Sequence, residues 1–268
     1  MTQSLTHHYA ELLRRRMADL PADPGVADLN ELLRLLGRWR SRMLANTYLS
    51  HEGAVIRGGP FAGMKYLDLA TEGALIPRLL GVYESELHPY LEALAREGIE
   101  DVVDVGCAEG YYAVGLARLM PQALVHAFDT DPAARQACAE LAAINGVTAR
   151  VRIGGAFPAH GFQAFAGRMV LVMVDTEGAE LDILDLEANP ALAGMHIVVE
   201  THDLYRPGAL KALVGRFSPT HRLILVRQQP KVLDLPEWLH AQPHLDQLLA
   251  VWEWRAAPTP WLVMRPKA

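Results

Sequence analysis

Cysteine is scarce: the chain of 268 residues has two, Cys107 and Cys138, too few for a disulfide framework and lacking the Cys/His spacing of a zinc site. A reducing compartment is the expectation. Positive charge is also short, with 25 Lys and Arg against 31 Asp and Glu, a formal net charge of -6 and a pI near 6.0. Such a chain offers no basic face to release counterions from a phosphate backbone, which argues against nucleic acid as a partner. Long apolar runs are missing too. No stretch approaches about 18 uncharged apolar residues, and no apolar segment follows Arg14, Arg15 and Arg16 near the start, so neither a membrane span nor a secretory signal is expected. The expected location is cytoplasmic.

What remains is a composition of 51% hydrophobic and 21% charged residues, which excludes global disorder. A chain of this length buries roughly three quarters of its unfolded surface without disulfides or structural metals. At about 150 residues per domain it makes between one and two domains. The sequence divides near residue 98. Residues 1–98 read as a helical cap or lid segment, with helices from Ser4 to Leu20, from Asp28 to about Ser50 and from Tyr83 to Arg96. Leu29, Leu32, Leu33, Leu36, Trp39 and Met43 recur in the second at helical spacing. The Gly/Pro-rich stretch Gly53 to Gly63 fits a segment that folds over a substrate, or equally a surface loop anchored by Phe61. Its four-residue glycine gap imitates a phosphate loop, but Met64 stands where lysine is required.

From residue 99 to 268 the period changes. Short Val- and Ile-rich runs alternate with helical stretches, the signature of βαβ units. Seven strands are expected: Val102–Val105, Leu124–Phe128, Ala149–Ile153, Val170–Val174, Ile197–Glu200, Leu223–Val226 and Leu262–Met264. Helices are expected near Tyr111–Met120, Pro132–Asn145, Ala179–Leu186 and Pro207–Phe217. The fold class is α/β, a Rossmann-like, mostly parallel seven-stranded sheet with helices on both faces, plus the N-terminal helical segment. The last two strands are joined by a tract holding Trp238, Trp252 and Trp254, for which core packing is preferred over a substrate wall.

In such a sheet, ligands bind beyond the carboxyl ends of the strands. After the first strand comes Asp104-Val105-Gly106-Cys107-Ala108-Glu109-Gly110-Tyr111. Gly106 permits a tight turn, Ala108 and Gly110 let a ligand approach the backbone, and the next helix offers its N-terminal N–H groups. Asp129 ends the second strand 23 residues after Gly106, close to the spacing at which an acid accepts hydrogen bonds from a ribose. An adenosine-containing ligand follows, unless Asp129 is a second helix cap beside Asp131. Ala156 and Phe157, after the third strand, are candidate adenine contacts. A dinucleotide loop would need glycine at 108 and 111, where this chain has Ala108 and Tyr111.

The spacing Gly106, Ala108, Gly110 resembles instead the loop of class I S-adenosylmethionine-dependent methyltransferases, a likeness running from about Asp101 to Leu204. Asp175-Thr176-Glu177-Gly178-Ala179-Glu180 after the fourth strand, with Glu200 at the end of the fifth, is similar to the FkbM family of these enzymes. That family's first loop usually reads Asp-Val-Gly-Ala-Asn-x-Gly, from which Cys107 and Ala108 depart. The resemblance implies S-adenosylmethionine as cofactor, with Asp104, Gly106, Ala108 and Gly110 holding its methionine end, Asp129 its ribose, and Asp175 lying near the sulfonium. It also implies a small-molecule methyl acceptor, a hydroxyl on a sugar or natural-product intermediate.

An oxygen acceptor must lose a proton. His202, just beyond the fifth strand, is the best base by intrinsic pKa, with Glu200 orienting it or acting in its place and Asp175 beside it. Asp175, Glu177, Glu180, Glu200 and His202 are an alternative hard-cation site, as in metal-dependent O-methyltransferases; the base is preferred and no metal is expected. Glu177 and Glu180 also suit the start of a helix. A non-catalytic cofactor-binding subunit and, behind it, a nicotinamide-dependent oxidoreductase are the remaining alternatives. A homodimer is left open as the assembly.

Overall fold

A computed structural model describes residues 4–68, 74–231, 235–255 and 257–267. Seven strands form one sheet: β1 (Asp101–Val105), β2 (Leu124–Phe128), β3 (Val151–Gly154), β4 (Val170–Val174), β5 (His196–Glu200), β6 (His221–Val226) and β7 (Trp261–Pro266). Their order is β3-β2-β1-β4-β5-β7-β6. The first five run parallel, and β7 is antiparallel to both its neighbours. The mostly parallel seven-stranded sheet expected from the sequence is therefore present.

Every residue of β1, β4 and β5 is buried, and alternate residues enter two separate cores. Val102, Met173, Val198 and Val263 pack on one face; Val103, Val172, Val199 and Leu262 pack on the other. A period of two with both faces covered is why these strands read as unbroken apolar runs. The edge strand β6 instead is buried only at its two ends, His221 and Val226, with Arg222 and Ile224 exposed between them.

Between the parallel strands run α5 (Tyr111–Leu119), α6 (Pro132–Ile144) and α7 (Glu180–Ile183), with α8 (Ala209–Phe217) leading into β6. Asp131 caps α6 by accepting from the Ala133 N–H at 2.9 Å, and Gly146 follows its end at φ +68°, as the Asp-Pro start and glycine stop require. The N-terminal segment supplies α1 (Leu5–Ala18), α2 (Val26–Glu52), α3 (Leu75–Leu80) and α4 (His88–Leu94); α9 (Glu237–His240) and α10 (His244–Ala250) lie between β6 and β7. No helix among the described residues is long and apolar enough to cross a membrane.

Several boundaries differ from the sequence expectation for identifiable reasons. Thr148–Arg150 forms a 3-10 turn, so β3 begins at Val151 rather than Ala149. The helix expected from Ala179 to Leu186 is a single turn, because Arg216 donates to the carbonyls of Leu181 and Leu184 that a longer helix would use. The helix expected from Tyr83 begins at His88, since Glu84 sits at φ +49° in the left-handed region. Phe61 is 2% exposed, with its ring 5.2 Å from that of Tyr111. A Cβ on Gly115 would meet Phe61 at 2.7 Å. Of the two readings of residues 53–63, the packing is that of a loop anchored by Phe61.

Candidate functional site

The chain leaves β1 toward β2 on one side, while β4 lies on the other, so the carboxyl ends of β1 and β4 form the switch point where doubly wound sheets bind ligands. The turn after β1 is tightly constrained there. Gly106 has φ +86°, and a Cβ on it would fall 1.7 Å from the Asp175 carbonyl oxygen; only glycine lets the β1 and β4 turns touch. Ala108 takes φ +47°, a left-handed conformation that Asn tolerates better than Ala. Its N–H donates to Asp129 Oδ2 at 2.9 Å, while Asp129 Oδ1 accepts from the Asp131 N–H at 2.8 Å. Asp129 thus joins the β1 and β2 turns, and Asp131 alone caps α6. Gly110 faces away from the cleft, packed where a Cβ would meet Cys138 Sγ at 2.7 Å.

Two cavities meet over this turn. One of about 440 Å³ is lined by Asp129, Gly155, Ala156, Phe157 and Ile183. The other, about 260 Å³, is lined by Asp104, Ala108, Glu200, His202 and, from outside the sheet, Arg38, Tyr83, Trp254 and Arg255. Gly106, Asp175 and Glu177 border both. The predicted residues are therefore gathered in one divided cleft, apart from Gly110 behind it.

His202 is the centre of the deeper half. It is 2% exposed, with Nδ1 2.7 Å from Glu180 Oε1 and Nε2 3.5–3.7 Å from oxygens of Asp175, Glu177 and Glu200. Burial works against the charged imidazole, but Glu180, Glu200 and Asp175 outweigh it and push its pKa up to about 10. Burial also works to raise Glu200, which His202, Arg255 and Thr259 together hold down to about 2. Asp175 is driven well above the usual carboxylate range by burial and by the charges of Glu200 and Glu84. Asp175, Glu200 and His202 each offer an atom within 4.8 Å of the others, near enough for a shared cation.

Sequence reasoning missed the outer wall of this half. Arg255 donates to Glu84, Glu200, Glu253 and Thr259, and the Tyr112 hydroxyl donates to Glu84. Lys231 pairs with Glu86 and Glu253, each at 2.6 Å. Trp254 lines the cleft with the Arg38 guanidinium 5.5 Å from its ring, which corrects the core assignment for this tryptophan. Trp252 would meet a Cβ on Gly37, and Trp238 stacks on His51. The adjacent Tyr111-Tyr112 pair at the start of α5 was the one available sign of an aromatic wall; nothing local marks Arg255 or Glu84.

Burial, reinforced by Asp129, raises Asp104 to about 7, and burial raises Glu84 to about 8 against the pull of Arg255. Both folded-state values lie above those of the unfolded chain. Their stabilisation is complete below about pH 4 and is lost as pH rises through 7 and 8. The melting temperature is therefore expected to fall by several degrees between pH 6 and pH 9; a flat or rising profile in calorimetry would contradict this.

No family model matches the chain, and no curated protein matches it. Among solved structures it is similar to the O-methyltransferase TomG from Streptomyces achromogenes in complex with SAM, at 13% identity and TM-score 0.44 over 68% of this chain and 81% of that one. It is similar to the O-methyltransferase from Bacillus cereus in complex with SAH, at 10% identity and TM-score 0.46 over 66% and 79%. It is also similar to an rRNA methylase from Streptococcus thermophilus, at 13% identity and TM-score 0.46 over 68% and 97%.

Proposed function

We propose that the protein is an S-adenosylmethionine-dependent methyltransferase acting on a hydroxyl of a small molecule. The observation that carries the reading is the divided cleft, whose lobes join at Gly106, Asp175 and Glu177. A ligand with adenosine at one end and an amino acid at the other fits a cleft of that form, and a cationic centre between them meets the acids at the joint. The buried Asp104, whose Oδ2 has no hydrogen-bond partner, suits an ammonium group; a pyrophosphate would face carboxylates instead.

Asp129 would hold the ribose, Ala156 and Phe157 the adenine, and Asp104, Gly106 and Ala108 the methionine end. When bound, the cofactor supplies an electrophilic methyl group. The chain supplies position, worth on the order of 7–11 kcal/mol when reacting groups are held together. His202 is the base for the acceptor hydroxyl, with Glu180 fixing its ring and Asp175 and Glu200 flanking Nε2. Arg38 and Tyr83 bring residues 1–98 to the cleft, consistent with that segment capping the acceptor side.

Titration calorimetry with S-adenosylhomocysteine and with NAD tests the assignment: the first is expected to bind and the second not. Asp129→Ala is expected to weaken S-adenosylhomocysteine by about 1.5–3 kcal/mol for each charge-assisted hydrogen bond lost; unchanged affinity would sink the ribose assignment. A chelator is expected to leave turnover unchanged. Activity lost to chelation and restored by Mg²⁺ or Mn²⁺ would instead assign the His202 cluster to a cation.

A further inference from the structure

We propose that Arg38 of α2 and Trp254 of the C-terminal tract select the methyl acceptor, a molecule with a flat ring and an anionic group, carboxylate or phosphate. The inference rests on the methyltransferase reading and adds to it the chemical class of the acceptor and the residues that recognise it.

Three arginines among the described residues border the deeper half of the cleft. Two are matched by acids: Arg78 lies 3.3 Å from Glu109, and Arg255 pairs with Glu84, Glu200 and Glu253. Arg38 has no hydrogen bond or ion pair with any described residue. Its side chain is exposed, and its guanidinium lies over the Trp254 ring at 5.5 Å from the centroid. A guanidinium over an aromatic face keeps its N–H edge available, and that planar fork matches the paired oxygens of a carboxylate or phosphate.

Trp254 is held firmly for this role. It takes φ +65°, a strained conformation for a bulky residue. Its indole N–H donates at 3.2 Å to the hydroxyl of Ser41, which is buried and one turn along α2 from Arg38. The non-glycine residues with positive φ are Glu84, Ala108, Glu177 and Trp254, and the last three border this one cavity. Strain of this kind gathers where a site requires a fixed geometry. Leu204 and Tyr205, 56% and 61% exposed, border the same cavity and add apolar surface that a flat ring would cover.

Charge then orients the acceptor. Asp104 and Glu200 are buried, and with Asp175 and Glu177 they make the cavity acidic, which repels an anion. The uncommitted guanidinium stands at the exposed edge. An anionic group is therefore held outward at Arg38, leaving the hydroxyl end of the molecule to enter. A cationic acceptor would be drawn to the acids instead.

The test is calorimetry near pH 7 on the full chain loaded with S-adenosylhomocysteine, titrated with four ring compounds that differ in charge: 4-hydroxybenzoate, 4-hydroxyphenyl phosphate, phenol and tyramine. One of the two anions is expected to bind about tenfold or more tighter than phenol, and the tighter of the two identifies the group. In R38Q that advantage is expected to disappear, while the affinities for phenol and for S-adenosylhomocysteine stay unchanged; a merely structural role for Arg38 would move all of them. R38K, which keeps the charge without the fork, is expected to retain part of the preference. If S-adenosylhomocysteine binds but no ring compound does, or phenol or tyramine binds as tightly as both anions, or the preference survives in R38Q, the inference alone is overturned. Failure of S-adenosylhomocysteine to bind removes the methyltransferase reading and the inference with it.

Discussion

Arg255→Met is expected to cost about 3–5 kcal/mol of folding stability, the penalty for removing one partner from a buried ionic group. Arg255 is the shared cation of Glu84, Glu200 and Glu253, whose side chains are 0%, 5% and 0% exposed. Three parts of the chain meet on it: the turn before α4, the end of β5 and the tract preceding β7. Methionine fills much of the volume but leaves Glu84 without its cation and Glu200 with His202 alone, while Lys231 still serves Glu253. A loss of that size in a chain of this length corresponds to roughly 10 °C in melting temperature. A fall of less than about 2 °C would show that the carboxylates find other partners or become protonated at little cost. Above about pH 8, where the Glu84 carboxylate ionises, adding Glu84→Gln to Arg255→Met is expected to recover part of the loss, since a neutral amide costs less to bury than an unpaired carboxylate.

His202→Gln is expected to lower turnover by about 10²–10⁴-fold, the usual contribution of a positioned base, while S-adenosylhomocysteine still binds. Only the neutral imidazole accepts a proton, so the wild-type rate is expected to rise with pH. Because the surrounding carboxylates lift the free-protein value to about 10, kcat/KM is expected to climb well past the ordinary histidine range. A profile flat through pH 6 to 9, with a variant of undiminished turnover, would remove His202 from the chemistry. Glu180→Gln separates ring orientation from charge: its amide oxygen still accepts from Nδ1, so a modest drop in rate with a lower apparent pKa is expected.

The residues of the half of the cleft proposed to hold the cofactor could be picked out in the sequence because they follow one another along the chain. Gly106, Ala108 and Asp129 are read from spacing, since a strand, a tight turn and a helix start impose their own local requirements. The parallel strands were equally legible, as burial on both faces leaves continuous apolar runs such as Val170–Val174. The place of β7 between β5 and β6 was not, because antiparallel pairing across a long tract leaves no periodic mark.

His202 and Asp175 could be chosen from the sequence as strand-end residues, but not their electrostatic state. Four carboxylates from four chain positions converge on one imidazole only after β4, β5 and α7 are packed together, and it is their sum in a buried site that keeps the ring charged. Arg255 and Glu84 lie 171 residues apart, each on an irregular segment without period or motif. Local propensity and hydrophobic pattern thus determined the sheet, the glycine turn and the place of Asp129 after β2. The long-range ion pairs of the cleft wall, and through them the charge balance at the proposed base, were decided by tertiary structure, because Coulomb energy depends on distance and burial in space and not on separation along the chain.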